Sequence, residues 1–495
     1  MITRPNILWI GMDQIRYDTP ACNGNPVCRT PSIDALADKG VSFDRAYTPS
    51  SLCSPARASM LTGQFAFHHG MLTNCDLYHS PLRELPAQDT LLHHRLHEAG
   101  YRCGFVGKSH IGTDKAPTDF GFEGFSPPGY GNIRQQPRYL EYLEAHGLTY
   151  TIREPIFANA DATTCLAGIW DGQAESTPAA FLAAETMDML ETYAAKPETP
   201  FFLTCQFWGP HQPHLPSREF AGMHDRAAIK PWANAADDWH GKPEMVKRVH
   251  RDFYRQLPSD WDTWREVVGR YYDFTAMIDA QIGRILKRLQ ELGLEENTII
   301  VFSTDHGDMT GSHGGMNDKG YAYEEAHHIP LIVAFPGHFQ AGTRTDAMVY
   351  NMDIFPTLLD AIGLPVPAVD ARSFLSTLIG EPLPNPRKDI YLEFHGLRFL
   401  YSQRALLTED GNKYIFTPGD KDEFYDLKQD PAELHNRIDD PDYGDCVAQM
   451  RDRMIAHAWA CKDPLAPCIA KYFGDWETSS NHQFDATNLK QQAGK

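Results

Sequence analysis

Four short, nearly uninterrupted apolar runs, each closed by residues able to do chemistry, constrain the fold of this chain more than any other feature. Asn6–Met12 ends at Asp13-Gln14, and Cys103–Gly107 ends at Lys108-Ser109-His110. Phe201–Phe207 leads to His211, and Thr298–Thr304 ends at Asp305-His306-Gly307. Runs of this length without polar alternation suit strands covered on both faces, as in parallel sheets. Between them, Phe274, Met277, Ile278, Ile282, Ile285, Leu289 and Leu292 keep helical spacing until Gly293 stops the pattern. Strand and helix alternating in this way predict an α/β fold, a large, mostly parallel sheet sandwiched by helices. Ligands in such folds bind at the carboxyl ends of the strands. Asp13, Lys108, His211, Asp305 and His306 are therefore expected along one sheet edge.

The 495 residues suffice for one large domain and a smaller one. The texture changes after Pro382-Leu383-Pro384-Asn385-Pro386, which places the boundary there: 1–385 and 386–495. Beyond it, Ile390–Phe394, Leu400–Ser402, Arg404–Leu407 and Lys413–Phe416 read as short strands with turns such as Glu409-Asp410-Gly411-Asn412, an antiparallel subdomain. Two stretches, about 112–175 and 212–268, are irregular and rich in proline and aromatics, including Trp170, Trp232, Trp239, Trp261 and Trp264. They are expected to be insertions that shape a pocket over the site. The polar tail from about Thr478 is expected to be flexible or to reach a neighbouring subunit.

A formal net charge of −20 argues against nucleic acid or an anionic membrane as partner. It also means that a site for anions needs a bound cation and a local group of Lys, Arg and His. No apolar stretch approaches the ~20 residues that span a bilayer, and Met1–Asp13 enters a strand pattern directly. The ten cysteines are scattered and show no Cys-x-x-Cys spacing. A cytoplasmic protein with reduced thiols is the expectation.

One of those thiols stands in a special context. Cys53-Ser54-Pro55-Ala56-Arg57 opens a helix-forming run that closes at Thr62-Gly63. A nucleophile at the start of a helix lies in a positive field, with Arg57 about one turn away, a place suited to attack on an anion. A Cys-x5-Arg phosphatase would need arginine at position 59, where Ser59 stands.

Cys-x-Pro-x-Arg followed by Thr-Gly resembles the signature of the sulfatase family, in the alkaline phosphatase superfamily. That resemblance implies oxidation of Cys53 to formylglycine (3-oxoalanine) by a dedicated modifying enzyme, and an α/β hydrolase acting on a small sulfate ester, aryl or alkyl. It implies one divalent metal held by Asp13, Gln14, Asp305 and His306 beside residue 53. Asp305-His306 after its strand is similar to the family's second metal element. Gly107-Lys108-x-His110 resembles an element whose lysine holds the substrate anion and whose histidine serves the nucleophile. His211, in Gly209-Pro210-His211-x-Pro213-His214, is similar to the leaving-group histidine, and Lys319, in Asp318-Lys319-Gly320, to a second anion-binding lysine. Asn74 falls where the family borders the site with substrate-binding groups. In this scheme the metal, Arg57, Lys108 and Lys319 neutralise the ester's oxygens. The formylglycine hydrate attacks sulfur while His211 protonates the departing alcohol. His110 then removes a proton and sulfate is expelled.

Gln14 and His306 depart from the commoner Asp-Asp and Asp-Asn elements and are closer to phosphonate monoester hydrolases and choline-sulfatase-like members. Calcium is the expected metal, with manganese the alternative that softer ligands allow. A phosphonate monoester or phosphodiester is the alternative substrate. The resemblance leaves the leaving group and assembly into a homo-oligomer open. His313, His327 and His328 are read as loop or structural histidines.

Overall fold

The computed structural model describes residues 4–86, 91–158, 164–249, 257–258, 260–397 and 401–474. Its strands are, in chain order, β1 (Asn6–Asp13), β2 (Val41–Phe43), β3 (Ala46–Tyr47), β4 (Arg102–Gly107), β5 (Glu123–Phe125), β6 (Tyr150–Phe157), β7 (Cys165–Gly172) and β8 (Phe201–Pro210). There follow β9 (Thr298–Ser303), β10 (Ile332–Ala334), β11 (Thr343–Thr345), β12 (Val349–Tyr350), β13 (Asp389–Phe394), β14 (Gln403–Thr408), β15 (Asn412–Phe416) and β16 (Glu423–Asp426). Eight of them form one sheet in the order β11-β2-β10-β9-β1-β8-β4-β5. Within it β1 pairs in parallel with both β8 and β9, and only β10 runs against its neighbours.

The four apolar runs are thus the four adjacent central strands β9, β1, β8 and β4, and two-sided burial explains their lack of polar alternation. Leu8, Ile10 and Met12 of β1 join one core with Leu203, Phe207 and Phe302 and with the helices Pro178–Ala194 and Trp261–Glu291. Ile7 and Trp9 point the other way, into a core with Phe105, Phe202, Val301, Leu96, Phe355 and Leu358. The period of two along a strand sends alternate side chains to opposite helix layers, and each fully buried one contributes about 1.5–3 kcal/mol. Four neighbouring parallel strands end at one edge, and that is what gathers distant residues.

The stretches read as irregular contain regular structure. Between 112 and 175 lie the helix Pro137–Ala145 and the antiparallel hairpin β6–β7. The long helix begins at Trp261, inside the second stretch, because Asp260 caps it by accepting from the Thr263 N–H and Trp264 is buried. Its first turns are rich in charge and tryptophan, which hides the apolar period that is plain from Phe274 onward.

The antiparallel region is a four-stranded sheet in the order β13-β14-β15-β16. Tyr401 and Ser402 lie outside its strands, Leu400 lies outside the described residues, and the fourth strand is Glu423–Asp426. Two compact units are present, 1–436 and 437–495, so this sheet belongs to the larger one. The described part of the smaller unit holds the helices Gly444–Ala460 and Ala466–Tyr472, with Val447, Met454 and Ile469 buried. Among the described residues no helix is long and apolar enough to cross a membrane. The tail from Thr478 lies outside the described residues.

Candidate active site

The site is assembled where β1, β4, β8 and β9 end and the helix Cys53–Thr62 begins. The backbone turns sharply as it leaves two of these strands: Gln14 has φ 67° and His110 has φ 54°, in the left-handed region. Gly107 (φ 106°) precedes Lys108 because a Cβ there would run into the Gln206 carbonyl.

Cys53 is the first residue of its helix and 1 % exposed. The helix has no side-chain cap from its own N-cap residue, Leu52. Asn74 serves instead, its Oδ1 accepting from the Ser54 N–H at 3.1 Å, while Ser54 Oγ donates to the His110 carbonyl at 2.5 Å. Asn74 therefore holds the start of the helix that carries Cys53.

The ligand atoms of Asp13, Cys53, Asp305 and His306 all lie within 4.8 Å of one another, and all four residues are buried. Cys53 Sγ is 3.3 Å from His306 Nε2, which lies 3.8 Å from Asp13 Oδ1 and 3.5 Å from Asp305 Oδ2. His306 Nδ1 pairs with the Gly307 carbonyl at 2.9 Å. A neutral ring bonded in that way turns the Nε2 lone pair toward the carboxylates, the arrangement usual for a metal-binding imidazole. Asp13 Oδ1 is buried without a hydrogen-bond partner. An orphaned carboxylate oxygen facing a second carboxylate and an imidazole fits a divalent cation.

Gln14 is beside this group but already engaged. Its backbone N–H donates to Asp305 Oδ1 at 3.3 Å, and its amide nitrogen donates to Asp308 at 2.5 Å and Asp318 at 3.2 Å. Its Oε1 accepts from Lys319 Nζ at 2.7 Å. The two acids thus orient the amide so that its oxygen faces the site.

Cations rim the cluster, which answers the problem set by the chain's net charge. Lys108, fully buried, pairs with Asp13 and lies 3.6 Å from Cys53 Sγ. Lys319 Nζ meets His211 Nε2 at 2.7 Å and Asp318 Oδ1 at 2.9 Å. Arg57 lies beneath the carboxylates, its Nε donating to Asp305 Oδ2 at 2.9 Å and its Nη1 to the Lys108 carbonyl at 2.7 Å. Burial alone would raise the Cys53 thiol, but Lys108 and then Lys319 hold it well below the usual thiol range. Burial would likewise raise the Asp13 carboxyl, and Lys108, His211 and Arg57 depress it. Burial would lower the Lys319 ammonium, and Asp318, with the Cys53 and Asp13 anions, raises it. This edge is built to stabilise anions.

The structure brings together ten of the eleven residues singled out by sequence around one point, and Asn74 supports the nucleophile's helix from behind. It also adds residues that the sequence did not single out. Asp76 Oδ1 meets His110 Nε2 at 3.2 Å; burial would lower His110, but Asp76 and its surroundings raise it to about 10. Tyr130 places its ring 4.4 Å from Lys108 Nζ and edge-on to His211, with centroids 5.6 Å apart. Asp308 and Asp318 adjoin motifs of the sequence, three residues after Asp305 and one before Lys319. Tyr130 has no local signal, for it comes from the first insertion.

A sheet edge that can grip a tetrahedral oxyanion between a cation site and two lysines, with a nucleophile on a helix start, defines a hydrolase of the alkaline phosphatase-like class. Residues 5–364 match the family described as Sulfatase, and residues 311–459 the C-terminal region of N-sulphoglucosamine sulphohydrolase. The chain belongs to the sulfatase family and is a sulfuric ester hydrolase. The arylsulfatase of Clostridium perfringens is 29% identical over 483 residues, covering 91% of this chain and 94% of its own. The choline-sulfatase of Rhizobium meliloti is 26% identical, with 88% and 83% covered. The crystal structure of the phosphonate monoester hydrolase of Agrobacterium radiobacter shares the fold at a TM-score of 0.78 and 24% identity, over 92% of this chain and 96% of that one.

Proposed function

We propose that this sulfatase cleaves its ester with a formylglycine made from Cys53, beside one divalent cation held by Asp13, Gln14, Asp305 and His306. The observation that carries this reading is the convergence of Asp13, Cys53, Asp305 and His306 within 4.8 Å under three cationic side chains. A bound cation would supply Lewis acidity and lower the pKa of an oxygen nucleophile, and formylglycine, once water adds to its aldehyde, would place hydroxyl oxygens where Sγ now stands. Calcium is the metal we favour, from the carboxylates, with manganese the alternative given the imidazole. Because Cys53 is 1 % exposed, the enzyme that oxidises it acts before this helix start is buried.

The chain's own residues divide the remaining work. Lys108 and Lys319 bind and orient the ester's anionic oxygens. Arg57 positions Asp305 and the Lys108 backbone. Lys319 Nζ and His211 Nε2, 2.7 Å apart, share a proton at the side where the alcohol departs. Asp76 accepts from His110 Nε2, which leaves Nδ1, buried and without a hydrogen bond, as the nitrogen that exchanges a proton with a hydroxyl at position 53. We place the protein in a reducing compartment, the cytoplasm, a reading supported by its ten unpaired cysteines.

Gln14 and His306 favour a second reading, a phosphonate monoester or phosphodiester as substrate. Side-by-side kcat/KM values on 4-nitrophenyl sulfate and a phenyl phosphonate monoester decide between them, the larger value naming the substrate. Mass spectrometry of the peptide containing residue 53 tests the nucleophile: formylglycine is lighter than cysteine by roughly 18 Da. An unmodified thiol in fully active enzyme defeats the proposal.

A further inference from the structure

A cavity of about 170 Å³ lies against the site, lined by Tyr130, Trp170, Leu182, Phe207, His211 and Phe274 among others. Two of its walls are shared with the anion site. His211 touches Lys319 at 2.7 Å, and Tyr130 covers Lys108 at 4.4 Å. An ester whose sulfate sits between the two lysines and whose bridging oxygen meets His211 has this cavity as a place for its alcohol.

The cavity's chemistry is selective. Its two indoles have no hydrogen to give, because Trp170 Nε1 donates to Ser176 Oγ at 2.8 Å and Trp208 Nε1 to the Tyr130 carbonyl at 2.8 Å. They present carbon faces only. Asn132, Arg134, His211, Gln212 and the Tyr130 hydroxyl supply the polar groups, beside a lining that is otherwise mainly aliphatic and aromatic. Each sugar hydroxyl that enters without a partner forfeits a hydrogen bond to water. The volume suits one six-membered ring, since an apolar cavity of about 150 Å³ takes up benzene. The walls come from the strand β8, the helices Pro178–Ala194 and Trp261–Glu291, and the insertion residues Tyr130 and Trp170.

We propose that this cavity is the leaving-group site and that it selects an ester of an apolar, single-ring alcohol or phenol over a sugar sulfate. The inference rests on the sulfatase reading for its orientation, and its test separates the two. Full-length, formylglycine-bearing enzyme is assayed on 2-phenylethyl sulfate and N-acetylglucosamine 6-sulfate. Both have primary alcohols as leaving groups, so intrinsic reactivity is matched. The expected result is a kcat/KM at least about tenfold higher for the phenylethyl ester, the scale on which apolar pockets discriminate. Binding of phenol to the same protein, followed by ligand-observed NMR, gives a readout independent of turnover. Ala179 also lines the cavity, and Ala179→Phe fills it: the variant should abolish phenol binding and lower kcat/KM for the phenylethyl ester about tenfold, with ethyl sulfate unchanged. Phe274→Ala, which removes a half-buried wall, is the second variant should Ala179→Phe fold poorly, and it should weaken phenol binding. Preference for the sugar ester, absence of phenol binding to the wild type, or binding unaltered by both variants overturns the inference. If no sulfate ester is turned over, the sulfatase reading falls while phenol binding still decides the cavity.

Discussion

Two clusters of charge in the larger unit invite comparison, because each brings acids and a histidine close enough to hold a cation, yet only one of them contains a nucleophile. At the strand ends, Asp13, Cys53, Asp305 and His306 surround a point, and Asp13 Oδ1 has no hydrogen-bond partner. Elsewhere, His313, Glu325 and Glu433 also bring ligand atoms within 4.8 Å. There Lys413, fully buried, lies 2.9 Å from Glu324 and 2.8 Å from Glu433, and His313 meets Asp237 at 2.8 Å. His313 also stacks on Tyr323, and Lys242 lies 4.3 Å over the same ring. The second cluster supplies its own counter-ions and cross-links the motif segment 313–325 to β15 and the stretch after β16. The first has Lys108 and Arg57 as its cations, and it places Asp13 Oδ1 beside the thiol of Cys53 and the Nε2 of His306, at the start of a helix. Proximity of charged groups does not make a functional site; a nucleophile set among them, next to a place for the substrate's anion, does.

Substitutions should separate the two clusters. Cys53→Ala is expected to lower kcat by at least about 10⁴-fold with the melting temperature little changed, as for loss of a nucleophile. His313→Ala, the counterpart in the second cluster, should leave kcat/KM of the folded fraction within about twofold while lowering stability. A kinetic defect in His313→Ala matching that of Cys53→Ala would erase the distinction. His211→Ala should cost about 10³-fold on an alkyl sulfate and much less on 4-nitrophenyl sulfate, whose phenolate departs with little need of a proton. Equal losses on both would deny the histidine a role in leaving-group protonation.

Lys413→Met tests the closed cluster directly. Removing one partner of a buried ionic group strands the carboxylates, so a loss of about 3–5 kcal/mol is expected in denaturant unfolding, with kcat/KM of the folded enzyme preserved. The smallest effect concerns pH. Glu433 is raised to about 7, by burial first and then by Glu324 and Glu325, with Lys413 opposing. Below about pH 4.5 both the folded and unfolded chains hold that proton. Above it the unfolded chain releases the proton first, so this group makes stability fall as pH rises toward 7. Glu433→Gln should flatten that part of the wild-type curve, measured as unfolding midpoints at pH 5 and pH 7.5. An unchanged slope would show that Glu433 is ionised throughout.

Legibility from sequence followed the range of the interactions. The four central strands were plain because two-sided burial demands apolar residues in succession, a local signature. Asp13, Lys108, His211, Asp305 and His306 were legible because each directly follows such a run or lies within a few residues of one. Asp76 and Tyr130 were not, since each acts through a contact formed only on folding, with His110 34 residues away and with Lys108 across an insertion. The start of the long helix at Trp261 was obscured because its first turns pack tryptophan and salt bridges in place of an aliphatic stripe.

By itself, then, the chain's order of residues determined the sheet, the helix that carries Cys53, and the family to which both belong, because strand burial and helix starts are written in neighbouring positions. Only the tertiary structure decided that Asp13 Oδ1 is left without a hydrogen bond beside Cys53, that Arg57 and Asn74 hold the site's framework from behind, and that a ring-sized apolar cavity adjoins His211. Those properties depend on distances between segments as much as hundreds of residues apart, where a few ångströms decide which groups meet.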